Sequence, residues 1–204
     1  NKGFTNITGI DVSLECINEA KAHAQKNTSQ QNAKQPQQPH NPQQQPHNPQ
    51  HKSTQTQAPT QSINYFHKTI NQAAAHASAT QNKYDAVLCM EVIEHVNDFE
   101  GFLKQCASLL KPNGLIFVAT INKTPQSLMF AKIAAEYILS IVPKNTHDWN
   151  KFVKPHQIVN ALESPDANCK IKQSTGVSYN PATNHAQLCS SLNINYMMMF
   201  EKQK

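Results

Sequence analysis

Two glutamates and a histidine follow a short apolar segment in the middle of the chain. Residues 84–90 have the length and composition of a buried strand, and Glu91, Glu94 and His95 come directly after it. Within one helical turn, residues i, i+3 and i+4 point in similar directions, so the three side chains would lie together. Open α/β sheets bind ligands at the carboxyl ends of their parallel strands. The spacing therefore indicates a site for a divalent cation.

The same turn also has a purely structural interpretation. Acidic residues at the start of a solvated helix are stabilised by the positive end of the helix dipole, and no ligand is needed for that. A zinc protease is disfavoured, because neither H-E-x-x-H nor H-x-x-E-H occurs and Glu91 stands where a second histidine would be required. A cation site and a solvated helix start are both compatible with these residues.

Apolar spacing along the chain predicts alternating strands and helices. The predicted strands are 7–10, 63–66, 84–90 and 115–120. The predicted helices are 13–23 with Ser13 as its cap, 99–110 after a cap at Asn97-Asp98, and 155–162 with Pro155 as its first residue. Such alternation is typical of an α/β fold with a mostly parallel sheet wound on both faces. Residues 170–177 and 193–200 look like two further strands joined by a long loop, and we expect them to pair as an antiparallel edge.

Asp11 comes directly after the first predicted strand. An acid at the end of the second strand of a nucleotide-binding unit can accept hydrogen bonds from ribose hydroxyls. An ordinary turn-forming aspartate explains the residue equally well. The glycine-rich loop that should precede such a strand is missing from the sequence, so this pattern leaves both interpretations open.

A low-complexity segment from Asn27 to Ser62 interrupts the alternation. It consists almost entirely of small and polar residues, holds six of the twelve prolines and contains a short tandem repeat. Such a composition cannot offset its ordering entropy by burial, so we predict a disordered and dispensable insert within a single domain over residues 1–204. The histidines of this segment are more simply explained by its biased composition than by metal binding.

Composition excludes some partners. The net charge is +5 and no basic stripe with interleaved aromatic residues occurs, which argues against nucleic-acid binding. All 18 basic residues are lysine, so bidentate recognition of anions by arginine is not possible. The five cysteines form no C-x-x-C pair and are predicted to be small core residues in a reducing compartment. Because the chain begins at Asn1 and opens on a strand, we expect the true N-terminus to lie upstream.

Several motifs resemble the ubiquinone-biosynthesis O-methyltransferases, which are class I, S-adenosylmethionine-dependent enzymes with a Rossmann-like fold. The matching motifs are TGID at 8–11, MEVIEHV at 90–96, LKPNG at 110–114, EYIL at 136–139, THDW at 146–149, YNP at 179–181 and NY at 195–196. The E-H-V motif is widespread among class I methyltransferases, and the segment 136–155 is what narrows the resemblance to this family.

The resemblance implies roles for particular residues. Asp11 would bind the cofactor ribose, Met90 would contact the cofactor, and Glu91, Glu94 and His95 would hold Mg²⁺. The substrate would be a polyprenylated dihydroxy ring, either a polyprenyl-dihydroxybenzoate or a demethylubiquinol. A hard cation chelated by two ring oxygens would lower the pKa of the reacting hydroxyl. Because the ligands would include the imidazole of His95, manganese or zinc is also possible. Without the glycine-rich motif, this chain is expected to bind the cofactor poorly.

The resemblance also implies a location. It places the protein peripherally on the matrix side of the mitochondrial inner membrane, within a multi-subunit quinone-biosynthesis complex. The apolar segment Ser127–Val142 is too short to span a bilayer, so we predict that it lies at the membrane surface. Lys144, Trp149, Lys151 and Lys154 would be its interfacial anchors. A buried core helix is the alternative interpretation of this segment.

Three other functions compete with this one. A non-catalytic relative could act as a scaffold in the quinone-biosynthesis complex, and a different class I methyltransferase could act on another small molecule. A nicotinamide oxidoreductase would also place an acid after its second strand. The E-x-x-E-H turn and the C-terminal antiparallel pair argue against the oxidoreductase.

Overall fold

The chain folds into two compact units, Asn1–Thr69 and Ile70–Lys204. A computed structural model of the protein describes residues 4, 6–33, 63–129, 148–180, 183 and 185–204. The prediction of a single domain over 1–204 stays a prediction, since a boundary in contacts does not measure whether the two units unfold together.

The first unit contains a parallel pair of strands and one helix. Strand β1 (Ile7–Asp11) is followed by helix α1 (Leu14–Ala33) and strand β2 (Ile63–His67). The two strands pair in parallel, from Ile7 opposite Ile63 to Asp11 opposite His67. At the start of α1, the Ser13 hydroxyl accepts a hydrogen bond from the backbone N–H of Cys16 at 3.2 Å, as its predicted capping role requires.

Helix α1 is longer than predicted. It continues past the predicted end at His23 to Ala33 and so includes the first residues of the segment predicted to be disordered from Asn27 to Ser62. Neither proline nor glycine occurs between Leu14 and Pro36, so nothing in the sequence stops the helix earlier. Residues 34–62 lie outside the described residues, and for them the disorder stays a prediction.

The second unit is built on a mixed five-stranded sheet. Its strands are β3 (Tyr84–Met90), β4 (Leu110–Ile121), β5 (Cys169–Asn180), β6 (His185–Cys189) and β7 (Asn195–Lys202), in the order β3-β4-β7-β5-β6. β3 and β4 are parallel, whereas β4–β7, β7–β5 and β5–β6 are antiparallel. The α/β fold with a C-terminal antiparallel part is therefore confirmed. That part is larger than predicted, because β6 occupies the region expected to be a loop.

Besides the helical residues 125–129, three α-helices are described in the second unit. They are α2 (Ile70–Thr80), α3 (Phe99–Ser108) and α4 (Pro155–Leu162), and short 3₁₀ turns cover Ile93–His95 and Trp149–Lys151. Helix α2 was not predicted from the sequence, and its buried positions are the small residues Ala74 and Ala77. At the start of α3 the Asp98 carboxylate accepts a hydrogen bond from the backbone N–H of Gly101 at 2.9 Å, which confirms the predicted cap.

The core of this unit lies between one face of the sheet and helices α3 and α4. Alternate residues of β4 and β7 point into it, as the two-residue period of a strand requires. The fully buried large side chains include Leu103, Ile116, Ile158, Leu162, Tyr196 and Phe200. Each aliphatic or phenylalanine side chain so buried contributes about 1.5–3 kcal/mol to the free energy of folding. The packed core holds β3 and β4 side by side, with their carboxyl ends at the same edge of the sheet.

Part of the predicted membrane segment can be located. Residues 125–129 are helical, with Ser127 buried and Met129 exposed, while residues 130–147, including Lys144, lie outside the described residues. Among the residues that the structure describes, no helix is both long enough and apolar enough to cross a membrane.

Candidate active site

The turn after β3 begins with an unusual backbone conformation. Glu91 has a φ of 52°, in the left-handed region that non-glycine residues rarely adopt. Its backbone N–H still donates a hydrogen bond to the Ala119 carbonyl at 2.9 Å. The chain then enters a 3₁₀ turn, in which the His95 N–H donates to the Val92 carbonyl. The predicted single helical turn starting at Glu91 is therefore wrong, because a left-handed residue cannot begin a right-handed helix. Backbone strain of this kind often accompanies functional sites.

Glu94 is the buried carboxylate of the turn. Its side chain is 2% exposed, and its Oε2 accepts a hydrogen bond from the Thr120 hydroxyl at 2.7 Å. Its Oε1 is buried and has no hydrogen-bond partner among the residues that the structure describes. A buried polar atom without a partner costs about 1–3 kcal/mol, and more when it is charged. Such an oxygen is suited to meet a ligand.

Glu91 interacts directly with Glu94. Loss of hydration and the nearby Glu94 carboxylate together raise the pKa of Glu91 from 4.5 to about 7. Part of Glu91 nevertheless remains exposed to solvent. The two carboxylates thus form an acid pair, Glu91 and Glu94, that binds a proton near neutral pH and could instead bind a cation.

His95 does not complete a three-residue cluster. It lies on the exposed side of the turn, whereas Glu94 is buried. Within the described ranges, no three His, Cys, Asp or Glu side chains come together in a way that could hold a metal ion. The structure therefore brings Glu91 and Glu94 together, and the three-ligand metal site with His95 stays a prediction.

Thr120 and Tyr196 surround the acid pair, and neither was predicted from the sequence to be a site residue. Both are completely buried, and they lie opposite each other on the neighbouring strands β4 and β7. The Tyr196 hydroxyl donates to the Val153 carbonyl at 2.8 Å. Burial raises the pKa of Tyr196 above its usual value, and the charges of Glu94 and Glu91 raise it further. The sequence signal that could have indicated Thr120 is a polar residue near the end of a buried apolar segment.

The two residues assigned to the cofactor both lie at strand ends. Asp11 closes β1 in an exposed position, where its carboxylate accepts a hydrogen bond from the Ser13 N–H at 2.7 Å. Met90 is the last residue of β3 and is 42% exposed. Both side chains are accessible to a ligand, and their contact with a cofactor stays a prediction.

Family comparison identifies the fold. A family model described as a methyltransferase domain matches residues 1–172, which is most of the chain. The chain belongs to this methyltransferase family. A solved structure of an S-adenosylmethionine-dependent methyltransferase from Methanosarcina mazei has a TM-score of 0.55 at 13% identity, covering 97% of this chain and 82% of that one. The predicted class I methyltransferase fold is therefore confirmed.

Curated relatives show which methyltransferases this chain is similar to. A protein named ubiquinone biosynthesis O-methyltransferase from Acinetobacter baylyi is 43% identical over 60% of this chain and 50% of its own length. One of the same name from Parvibaculum lavamentivorans is 43% identical over 67% of this chain and 52% of its own. The chain thus spans about half the length of these relatives. These identities confirm the predicted resemblance to ubiquinone-biosynthesis O-methyltransferases.

Proposed function

We propose that this protein is an S-adenosylmethionine-dependent O-methyltransferase of ubiquinone biosynthesis, which methylates a ring hydroxyl of a polyprenylated dihydroxy-ring substrate. The methyltransferase family supports the reaction class, and the names of its curated relatives support the pathway. The observation that carries the catalytic part is the unpartnered Oε1 of Glu94 beside Glu91, at the carboxyl ends of two parallel strands.

The acid pair has the chemistry that this reaction needs. Methyl transfer breaks the bond between carbon and the cofactor sulfur and forms a bond between that carbon and the ring oxygen, while the hydroxyl proton must leave. A phenol has a pKa of about 10 and is mostly protonated at neutral pH. A carboxylate that accepts this proton as a general base, or a cation held between the carboxylates and the ring oxygen, would favour its loss.

The residues present fit a magnesium ion in part. Glu91 and Glu94 supply carboxylate oxygens, which Mg²⁺ prefers, and it is usually held by one or two carboxylates with water and substrate oxygens in the remaining positions. Thr120 fixes the orientation of Glu94 through its hydrogen bond to Oε2, leaving Oε1 for the cation. When bound, Mg²⁺ would act as a Lewis acid on the ring oxygens.

Chelation tests the proposal. On the full-length protein with a dihydroxy-ring substrate, exhaustive chelation should lower methyl transfer by at least about 100-fold, and added Mg²⁺ should restore it. Calorimetric titration should show Mg²⁺ binding that Glu94→Gln abolishes and that the exposed-acid control Asp85→Asn retains. Activity that survives chelation would assign proton removal to the acid pair without a metal. A protein that methylates no dihydroxy ring under either condition would contradict the proposed function.

The cellular setting belongs to the same proposal. A polyprenylated substrate resides in a lipid bilayer, so we place the protein peripherally on the matrix side of the mitochondrial inner membrane, in contact with other quinone-biosynthesis enzymes. The exposure of Met129, Lys151 and Lys154 supports a membrane-facing surface, since exposed methionine and lysine side chains suit a membrane interface. Trp149 is half-buried, and its indole N–H donates to the Thr124 carbonyl at 3.3 Å. Liposome flotation that is unaffected by Met129→Glu with Lys151→Glu would contradict this surface.

A further inference from the structure

A histidine lies beside Asp11 at the carboxyl edge of the first unit. His67 is the last residue of β2, and the register of the parallel pair places it opposite Asp11, the last residue of β1. The two residues are far apart in sequence, and only the pairing of the strands makes them neighbours. His67 was not among the site residues predicted from the sequence, yet it lies at the edge where α/β sheets bind ligands.

The imidazole ring of His67 is bonded to the turn that follows β1. Its Nε2 lies 2.9 Å from the Val12 carbonyl oxygen. A carbonyl oxygen can only accept a hydrogen bond, so Nε2 must carry a proton and act as the donor. The ring therefore ties the end of β2 to the turn after β1, in addition to the backbone pairing of the two strands.

The peptide group between Val12 and Ser13 transmits this contact to Asp11. Its carbonyl accepts the hydrogen bond from His67, and its N–H donates to Oδ1 of Asp11 at 2.7 Å. Because a peptide group is planar, fixing the direction of its carbonyl also fixes the direction of its N–H. Hydrogen bonds connected in this way polarise one another. The imidazole thus acts on the Asp11 carboxylate through one rigid group.

The backbone on either side of this peptide is held independently. The Lys68 N–H donates to the Asp11 carbonyl at 3.0 Å, and the Ser13 hydroxyl accepts from the Cys16 N–H at the start of α1. The peptide lies between these two anchors, and the His67 ring holds it there. Loss of the ring contact would therefore release one peptide group without opening the strand pair or the helix cap.

Asp11 keeps the capacity to accept further hydrogen bonds. Its carboxylate is exposed, and among the residues that the structure describes it accepts only from the Ser13 N–H and forms no ion pair. A ribose offers two adjacent hydroxyl donors, which a carboxylate in the correct orientation can bind. Orienting the carboxylate before the ligand arrives lowers the entropy cost of binding.

We propose that His67 is a positioning residue for cofactor binding, which orients the Asp11 carboxylate toward the ribose hydroxyls through the Val12–Ser13 peptide. This inference rests on the proposed function in that Asp11 is taken to bind the cofactor. His67 contacts the turn, and the reacting atoms are bound elsewhere. Its removal should therefore weaken cofactor binding and leave the rate at saturating cofactor nearly unchanged.

Calorimetric titration of S-adenosylhomocysteine into the full-length protein tests this role, because the compound carries the same ribose and has no methyl group to transfer. His67→Phe keeps a ring but removes the N–H, so the affinity should fall about fivefold. His67→Gln places an amide N–H near the position of Nε2 and should stay within about twofold of wild type. His76→Phe is the matched control, since His76 is an exposed histidine on α2, and it should leave the affinity unchanged.

A double-mutant cycle distinguishes positioning from general damage to the fold. In an Asp11→Ala background, His67→Phe should have no further effect on affinity, because the carboxylate that the ring orients has been removed. A loss that persists in this background would overturn the inference, and so would unchanged affinity in His67→Phe alone. Equal losses in His67→Phe and His67→Gln would also overturn it, since the N–H donor would then have no part.

Activity measurements separate this inference from the proposed function. If the two residues are coupled in cofactor binding but no dihydroxy ring is methylated, the proposed function fails and the positioning role stands. If methylation occurs and Asp11→Ala weakens cofactor binding while His67→Phe does not, the function stands and the positioning role fails. A wild-type protein that binds no cofactor would overturn both.

Discussion

Acidic residues follow parallel strands at two places in this molecule, with different surroundings. Asp11 closes β1 in an exposed turn, where the Ser13 N–H satisfies one of its oxygens. Glu94 follows β3, is buried, and keeps one oxygen without a partner among the described residues. Solvent can complete the hydrogen bonding of Asp11 when no ligand is present, but it does not reach Glu94. A ligand is therefore compatible with the first site and strongly favoured by the second.

The difference shows what position in a strand pattern can and cannot indicate. Both acids occupy the strand end at which α/β sheets place ligands. At the second, the backbone adopts a strained conformation at Glu91, and the neighbouring Glu94 carboxylate helps to raise the pKa of Glu91. Strain and an unpartnered buried atom are costs that folding alone does not explain, which makes the acid pair the stronger functional candidate.

The largest effect is expected at Glu94. Glu94→Gln keeps the size of the side chain and the acceptor for Thr120 but removes the charge, so methyl transfer should fall by about 100-fold or more while the thermal midpoint changes little. Initial rates and thermal unfolding measure the two quantities, with Asp85→Asn as the control because Asp85 is an exposed acid paired with Lys111. A variant that loses stability but keeps its rate per folded molecule would make Glu94 a structural residue.

A smaller effect is expected at Asp11. Asp11→Ala removes a carboxylate that is predicted to bind the cofactor ribose, so the affinity for S-adenosylmethionine should fall about tenfold, with the rate at saturating cofactor nearly unchanged. Calorimetric titration of the cofactor measures the change. Glu15→Ala is the matched control, since Glu15 is an exposed acid at the start of α1. Unchanged cofactor affinity would leave Asp11 with its turn-forming role alone.

The raised pKa of Glu91 predicts a pH-dependent stability. Between the usual glutamate value of 4.5 and about 7, the folded protein binds a proton that the unfolded chain has lost. Stability contributed by this group is thus complete below pH 4.5 and is lost as pH rises through 7. The thermal midpoint of metal-free wild type should fall by a few degrees between pH 5 and 8, relative to Glu91→Gln. Identical pH profiles for the two proteins would contradict the interaction between Glu91 and Glu94.

The smallest effect is expected in the segment that follows α1. Replacing residues 34–62 with a short Gly/Ser linker should leave the melting temperature and methyl transfer nearly unchanged, because long surface insertions add little closure entropy. The junction is set after Ala33 so that α1 stays intact. A control replacement that begins at Asn27 should cost more stability, since it also removes the last turns of α1. A loss of more than a few degrees in the first variant would show that the segment packs against the protein.

Much of the fold was predictable because local patterns agree with the final structure. The apolar run at 84–90, the Asp98 cap and the Pro155 start each depend on neighbouring residues alone, and each is found as predicted. Helix α2 was missed because its buried positions are alanines, which give a weak hydrophobic period. Strand β6 was missed because four of its five residues are exposed, so its partner β5 defines it rather than its own composition.

The sequence by itself determined which acidic residues lie at the strand ends, the class of fold that positions them and the family to which the chain belongs. Only the tertiary structure decided that Glu94 is buried against Thr120, that Glu91 lies beside Glu94 and that His95 is exposed. The physical reason is that burial and pairing depend on contacts between β3, β4 and β7, which are distant in sequence. A left-handed residue at Glu91 then redirects the turn in a way that no spacing rule contains.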